Sequence, residues 1–200
     1  MKKIACLFLF VCLLVCLSSC STTTFDNSLL QPTEGEVSPL LPPLEIVNSS
    51  NSAVEVNSTS SNQVTVNSYF YTIWEREVEQ NICEDYGKKL GKIELVITNA
   101  SCTENINGLL LTIGCFGPAL LGFPVGNFVV NVEFEIRIYD SEGNRIWKEI
   151  YSLQEKYVDN LFNCMPDFSV YITELYRTML QQAKADIQRD RETIVSRLTK

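Results

Sequence analysis

The sequence predicts an α+β fold, a two-layer sandwich in which two helices cover one face of a mostly antiparallel sheet of about four strands. Two observations carry this prediction. Apolar residues alternate with polar ones in some stretches and recur at helical spacing in others, and the predicted elements follow one another as strand, helix, strand, strand, strand, helix. We expect a single domain over residues 62–200.

Residues 63–66 alternate valine with polar side chains and form the first predicted strand. A helix is expected next, because apolar side chains recur at every fourth position, at Phe70, Trp74, Val78, Ile82 and Tyr86. Either Gly87 or Gly91 is suited to end this helix in a left-handed cap. A further strand is predicted where three apolar residues alternate with other side chains, at Ile93, Leu95 and Ile97.

The clearest strand pattern lies in residues 128–157, which predict a hairpin. Apolar residues occupy the even positions from Val130 to Ile138, so one face of this strand is expected to be buried and the other solvated. A turn at 140–144 joins it to the return strand, with Gly143 available for a positive φ. One face of the return strand is expected to carry Trp147, Tyr151 and Leu153, and the solvated face of its partner Glu133 and Glu135.

The last predicted element is a helix that opens at Pro166 and Asp167. Its apolar stripe consists of Ile172, Tyr176, Met179, Ala183 and Ile187. The charged run at 189–192 is expected to be solvated, on a helix end that protrudes from the domain.

The composition excludes several classes of chemistry. The chain has 24 acidic residues against 16 basic ones, and its formal net charge of −8 opposes general binding of nucleic acid. It contains no histidine, which removes Ser-His-Asp and Cys-His nucleophile systems and histidine-ligated metals. We therefore expect no catalytic residues, no metal, no cofactor and no nucleic-acid partner.

The N-terminus has the order of a secretory signal. Two lysines precede the uncharged apolar stretch 4–17, which is shorter than the ~20 residues that span a bilayer. The following Leu17-Ser18-Ser19-Cys20 resembles a bacterial lipobox. The resemblance implies that residues 1–19 are a signal peptide, that the Cys20 thiol carries a diacylglycerol, and that the new amino group carries an acyl chain such as palmitate. An ordinary cleaved signal peptide and an uncleaved membrane anchor are the alternatives.

The residue after Cys20 bears on which membrane holds the protein. Ser21 stands where an aspartate would retain some bacterial lipoproteins in the inner membrane, so we prefer the outer membrane of the cell envelope, facing the periplasm. Two acyl chains suffice for stable anchoring. Residues 20–61 are rich in Ser, Thr, Asn and Pro and are expected to form a lipidated N-terminus and flexible stalk. Short apolar runs at 40–41, 44–47 and 54–56 are candidates for edge strands, which leaves the end of the stalk open by about ten residues.

Residues 105–132 contain no charged side chain. The glycines and prolines of this stretch argue against a regular helix. Three structures remain open: an apolar loop folded over the sheet, an exposed loop that meets the membrane, a lipid or a partner, and a transmembrane segment. The residues of the possible interaction loop are Leu110, Ile113, Phe116, Leu120, Leu121 and Phe123.

Four cysteines lie beyond the predicted anchor. An oxidising compartment permits disulfides, and four cysteines allow three pairings. A Cys102–Cys115 bond would close the apolar segment, and a Cys83–Cys164 bond would tie the first helix to the start of the second. Free buried thiols are the alternative. A zinc site with four cysteine ligands is disfavoured because the sequence has no CxxC pair among these cysteines.

The order of the predicted elements is similar to that of the small lipopolysaccharide-assembly lipoprotein and of the auxiliary lipoproteins of lipid-exporting ABC transporters. This resemblance is one of fold, and function does not follow from fold. The anchor, the stalk, the small domain and the uncharged loop together predict a non-catalytic accessory or assembly subunit that binds an envelope protein or a lipid. A lipid-anchored hydrolase with an unrecognised site is the alternative.

Overall fold

The structure, a computed structural model, describes residues 26–50, 63–106, 124–160 and 168–200. Within these ranges the α+β fold class is confirmed, and strands and helices follow one another in the predicted order, although the first strand lies at Glu45–Ser50 and not at residues 63–66. In chain order they are β1 (Glu45–Ser50), α1 (Gln63–Glu77, continued by a π turn at Val78–Ile82), β2 (Gly91–Ile106), β3 (Pro124–Asp140), β4 (Arg145–Asn160) and α2 (Phe168–Leu198). A short 3-10 helix, Asn27–Leu30, precedes β1.

The four strands form one sheet in the order β1-β2-β3-β4. β1 is parallel to β2, and the other two pairs are antiparallel. The register places Phe134 between Ile97 of β2 and Tyr151 of β4. Because side chains alternate along a strand, these three residues point to the same face of the sheet.

Both helices pack on that face and form the core with it. Phe70 of α1 and Tyr176 of α2 stack with ring centroids 4.1 Å apart, and the Tyr176 ring meets the Phe134 ring edge-on. The predicted shared face of Trp147, Tyr151 and Leu153 is confirmed: the first two are buried, and Leu153 packs against the core.

The start and end of the first helix differ from the prediction. Residues 63–66 belong to α1, because an alternation of only four residues fits the helical period as well as the strand period. The predicted stripe is buried as far as Ile82, but Tyr86 is 86% exposed, since the helix ends before it. Gly87 has a positive φ in the loop after the helix, and Gly91 is the first residue of β2, so neither is a helix cap.

The last helix continues through the charged run to Leu198, and the prediction that this end protrudes is wrong. Two buried side chains, Ile194 and Leu198, hold it on the sheet. The Trp147 indole N–H also donates to Asp190 at 3.1 Å, so part of the charged run serves the interface with β4. No helix in the described part of the chain has the length and apolar character needed to cross a membrane.

Candidate functional site

The predicted site residues fall mostly outside the described ranges. This holds for the lipidation site Cys20, for the six residues of the possible interaction loop, and for the cysteines Cys115 and Cys164. The two predicted disulfides therefore stay predictions. Their other partners, Cys83 and Cys102, are both buried in the core. Burial raises the pKa of the Cys83 thiol to about 12, so this cysteine is protonated and is a poor nucleophile at neutral pH.

Residues 26–44, which we call the strap, are folded onto the domain. Val37, Leu41 and Leu44 are buried in the core beside the helices. The Leu41 amide donates to the carbonyl of Ile82 at 2.8 Å, and β1 continues directly from the strap into the sheet. The candidate edge strand at 44–47 is borne out by β1, which begins at Glu45, whereas the prediction of a flexible stalk is wrong for residues 26–44. It followed the Ser, Thr and Pro content, which is also compatible with extended backbone packed against a helix.

Side chains on one face of α2 bind the strap along its length. The Arg177 guanidinium donates to the carbonyls of Leu29 and Gln31. Further along the helix, Arg191 donates to the carbonyls of Pro39 and Leu40. Strap and helix therefore run in the same direction.

Between these two arginines, Gln188 makes a pair of hydrogen bonds with the backbone of Ser38. The Ser38 amide donates to the Gln188 side-chain oxygen at 2.7 Å, and the Gln188 amide donates to the Ser38 carbonyl at 2.9 Å. Spacings of 7, 4 and 3 residues place Arg177, Lys184, Gln188 and Arg191 along one helical stripe.

The centre of the strap is held by a buried ion pair. The Lys184 ammonium lies 3.3 Å from the Glu77 carboxylate, and the two residues are 6% and 0% exposed. The ammonium also donates to the carbonyls of Thr33, Glu34 and Gly35 at 2.5–3.1 Å. A buried charge is tolerated when it is paired and hydrogen-bonded, so this cluster joins α1, α2 and the strap.

Glu77 is satisfied in the same cluster. It accepts hydrogen bonds from the backbone amide of Thr33 and from the side-chain amide of Asn81. The Asn81 amide in turn donates to the Thr33 carbonyl at 3.0 Å. These charged groups are all occupied in holding the strap, which points to a structural role for the cluster.

The second charged cluster lies on the sheet face that the helices leave open. Glu135 was expected to be solvated, but it is 6% exposed and forms ion pairs with Arg137 and, at 3.0 Å, with Lys148. The strand alternation is correct, and the difference arises because neighbouring long side chains cover the carboxylate. The hydrogen bond from Arg137 holds the pKa of Glu135 below its usual value, against the effect of burial.

The Glu94 carboxylate, on the adjacent strand, is also held by hydrogen bonds and a positive charge. It accepts hydrogen bonds from the Ser49 hydroxyl at 2.6 Å and the Tyr139 hydroxyl at 2.9 Å, and Arg137 lies 3.5 Å away. Burial raises its pKa, but these hydrogen bonds and the positive charge outweigh burial and lower it. A general acid at neutral pH needs the opposite shift, so neither carboxyl is suited to that role.

The outer edge of β4 is the third feature, and the sequence did not point to it. β4 pairs with β3 on one side, and no described strand pairs with its other side. A groove of about 510 Å³ runs between this edge and α2, lined by Tyr151, Ser152, Leu153, Thr178, Met179, Gln181 and Gln182. Ile150 and Val158 are 55% and 60% exposed on the same strand.

The chain matches no protein-family model and no curated protein. Among solved structures it matches protein XCC0632 from Xanthomonas campestris, of family DUF330, with a TM-score of 0.42 and 6% identity over 86% of this chain and 98% of that one.

Two further matches have TM-scores of 0.33 and 12% identity. One is a proposed lipoprotein from Caulobacter crescentus, with 77% of this chain and 90% of that one covered. The other is a minor lipoprotein from Acinetobacter baumannii, with 80% and 95% covered. The chain is similar to these proteins in part of its fold, at 12% identity or less.

Proposed function

We propose that the chain is an envelope lipoprotein, anchored by lipid at Cys20, whose domain is a non-catalytic accessory subunit that binds an extended segment of another envelope protein. The observation that carries the binding role is the outer edge of β4, with which no strand of the described residues pairs, beside the groove to α2. The ordered signal that ends in Leu17-Ser18-Ser19-Cys20 supports the anchor.

The chemistry of the edge selects an extended partner. A strand edge presents a row of backbone N–H and C=O groups, and these are satisfied in order by another strand. β4 is long, Arg145–Asn160, so a segment of five or six residues can pair with part of it. The groove beside Tyr151 and Leu153 offers space for alternate side chains of such a segment, which is how strand addition obtains specificity.

The state of the charged groups supports a non-catalytic role. Glu94 and Glu135 have pKa values below the usual range, and Lys184 is fully hydrogen-bonded to the strap and Glu77. Burial keeps the Cys83 thiol protonated, and the chain has no histidine to activate a nucleophile.

The anchor is tested by Cys20→Ala. We expect the variant to leave the detergent-extracted membrane fraction for the soluble periplasmic or secreted fraction, or to remain unprocessed, and to lose metabolic labelling by an alkyne analogue of palmitate. Cys16→Ala, within the signal peptide, is the matched control and should keep both properties. Unchanged membrane attachment and labelling of Cys20→Ala would show that the anchor is elsewhere.

The binding surface is tested by photo-crosslinking in intact cells. A photoreactive phenylalanine analogue is placed at Ser152 or Gln182, on the two walls of the groove, and at the exposed Glu142 in the turn as control. We expect the same protease-sensitive adduct from both groove positions and none from residue 142. An adduct that resists protease, equal adducts at all three positions, or none in the groove would contradict a protein partner there.

A further inference from the structure

The sheet has two ends that can be told apart by register. Ile106 pairs with Gly126 at one end, and Gly91 pairs with Asp140 at the other. Strands of this length place the two ends about 45–50 Å apart, at ~3.3 Å per residue. The position of the anchor relative to these ends decides which part of the domain approaches the membrane.

α2 runs from the first end to the second. The ring of Tyr171, near the helix start, meets the ring of Phe128 at 5.1 Å. Near the helix end, the Arg197 guanidinium donates to the carbonyl of Ile146 at 2.9 Å, next to the turn that joins β3 and β4. The strap runs parallel to this helix, so its first residues lie toward the first end.

The chain between the strap and the predicted anchor is short. Cys20 precedes Asp26 by six residues, which reach about 20 Å when fully extended. The strap carbonyl of Leu29 is bound by Arg177, which stands about 13 Å along the helix from Phe168 and about 30 Å from Leu198. Cys20 can therefore reach the first end of the domain, and the second end lies beyond its reach.

We infer that the strap orients the domain on the membrane, so that the end carrying Phe128, Tyr157, Val158, Phe168 and Tyr171, which we call the anchor-proximal end, rests on the bilayer that holds Cys20. The inference builds on the proposed lipid anchor and names the lipid surface as the partner of this end. It also places the turn at 140–145 away from the bilayer.

The side chains of the anchor-proximal end suit this position. The Phe128 ring, itself buried, stacks on Tyr157 at 5.1 Å, and Tyr157 packs on Tyr171 at 4.7 Å, so two half-buried tyrosines lie at the edge of the core here. Tyrosine is enriched at membrane–water interfaces because it combines an apolar ring with a polar tip. The net charge of −8 gives no general attraction to anionic lipid, so the short tether is the element that sets the orientation.

The orientation is measured on the full acylated protein, reconstituted in vesicles of phosphatidylethanolamine and phosphatidylglycerol that carry an acceptor dye on the lipid headgroup. A fluorescent amino acid is introduced at Val158, at the anchor-proximal end, or at Glu142, in the distal turn. Both positions are exposed, so neither label should disturb the core. Because the two sites are about 45 Å apart along the sheet, we expect energy transfer to be about threefold or more higher from residue 158 than from residue 142.

A variant with a longer tether separates the effect of the tether from any lipid affinity of the domain. Forty Gly and Ser residues inserted between Thr22 and Thr23 lengthen the tether by about 35 Å on average and should bring the two transfer efficiencies close together. Equal transfer from both labels in the native-length protein, or an unchanged difference after the insertion, would overturn the inference. Failure of the protein to float with vesicles would instead refute the lipid anchor, which keeps the two proposals distinguishable.

Discussion

The strap and the sheet are both built from extended backbone, but their backbone N–H and C=O groups find hydrogen-bond partners of different kinds. In β2, β3 and β4 the backbone groups pair with those of the neighbouring strand in long antiparallel ladders, interrupted at a few bulges. The strap has few backbone partners, and side chains of α2 bind its carbonyls instead. Buried backbone groups need partners from some source. A proline-containing segment, which lacks some N–H groups, can therefore be folded when a helix supplies the donors.

The largest loss of stability is expected from a truncation in the core face of the sheet. Phe134 is fully buried and contacts the rings of Tyr151 and Tyr176, so Phe134→Ala should lower the free energy of unfolding by about 3–5 kcal/mol. Ile150→Ala on the open face of the same sheet is the control and should change it by no more than about 0.5 kcal/mol. Urea unfolding measures both, and equal losses would mean that the assigned core face is wrong.

The next largest loss of stability is expected from breaking the buried ion pair that holds the strap. Lys184→Met leaves the Glu77 carboxylate buried without its charge partner and should cost about 3 kcal/mol in urea unfolding. The double variant Glu77→Met/Lys184→Met removes both charges and should recover at least about half of that loss. If the single variant were as stable as the natural chain, the ion pair would not be what fixes the strap.

The same contrast explains which parts of the fold the sequence predicts. The β3–β4 hairpin and the stripes of both helices were predictable, because each pattern lies within the element that forms it. The strap was not, since its hydrogen-bond partners lie about 45 residues away around α1 and about 150 residues away in α2, and Lys184 looks like an ordinary helix surface residue. Glu135 was misjudged for a related reason: alternation gives the face of a residue, whereas its burial depends on Arg137 and Lys148. Identifying β4 as an edge strand requires the strand order, which the periodicity of the sequence does not provide.

A smaller effect is expected from the open-face ion pairs. Because the folded-state pKa of Glu135 is lowered, its stabilisation is present above the ordinary carboxyl pKa of 4.5 and is lost as the pH falls through the lower folded value. Glu135→Gln should therefore cost about 1 kcal/mol at pH 7, since its partners are partly solvated, and less at pH 3. Urea titrations at both pH values check this, with Glu142→Gln as the exposed control. If the difference in free energy of unfolding between Glu135→Gln and the natural chain were the same at both pH values, the ion-pair account would be contradicted.

The smallest effect is at the end of the strap. Arg191→Ala removes the two hydrogen bonds to Pro39 and Leu40, which are partly solvated, so the loss should be about 0.5–1 kcal/mol. Limited proteolysis is the sharper measurement, because cleavage near residue 40 should rise while cleavage in the β3–β4 turn stays unchanged. Arg191→Lys should restore part of the protection. Unchanged cleavage near residue 40 would show that this arginine does not hold the strap.

Native-state hydrogen exchange of the full mature chain tests most directly whether residues 26–44 are part of the domain. The Val37 amide donates to the carbonyl of Asn81 at 2.7 Å, and the Leu41 amide donates to that of Ile82 at 2.8 Å. We predict that both amides exchange as slowly as those of the central sheet, such as Ile136, because both residues are buried in the same core. Exchange of the Val37 and Leu41 amides at the rate of an unstructured peptide would show that the strap is a free stalk, and would contradict this account.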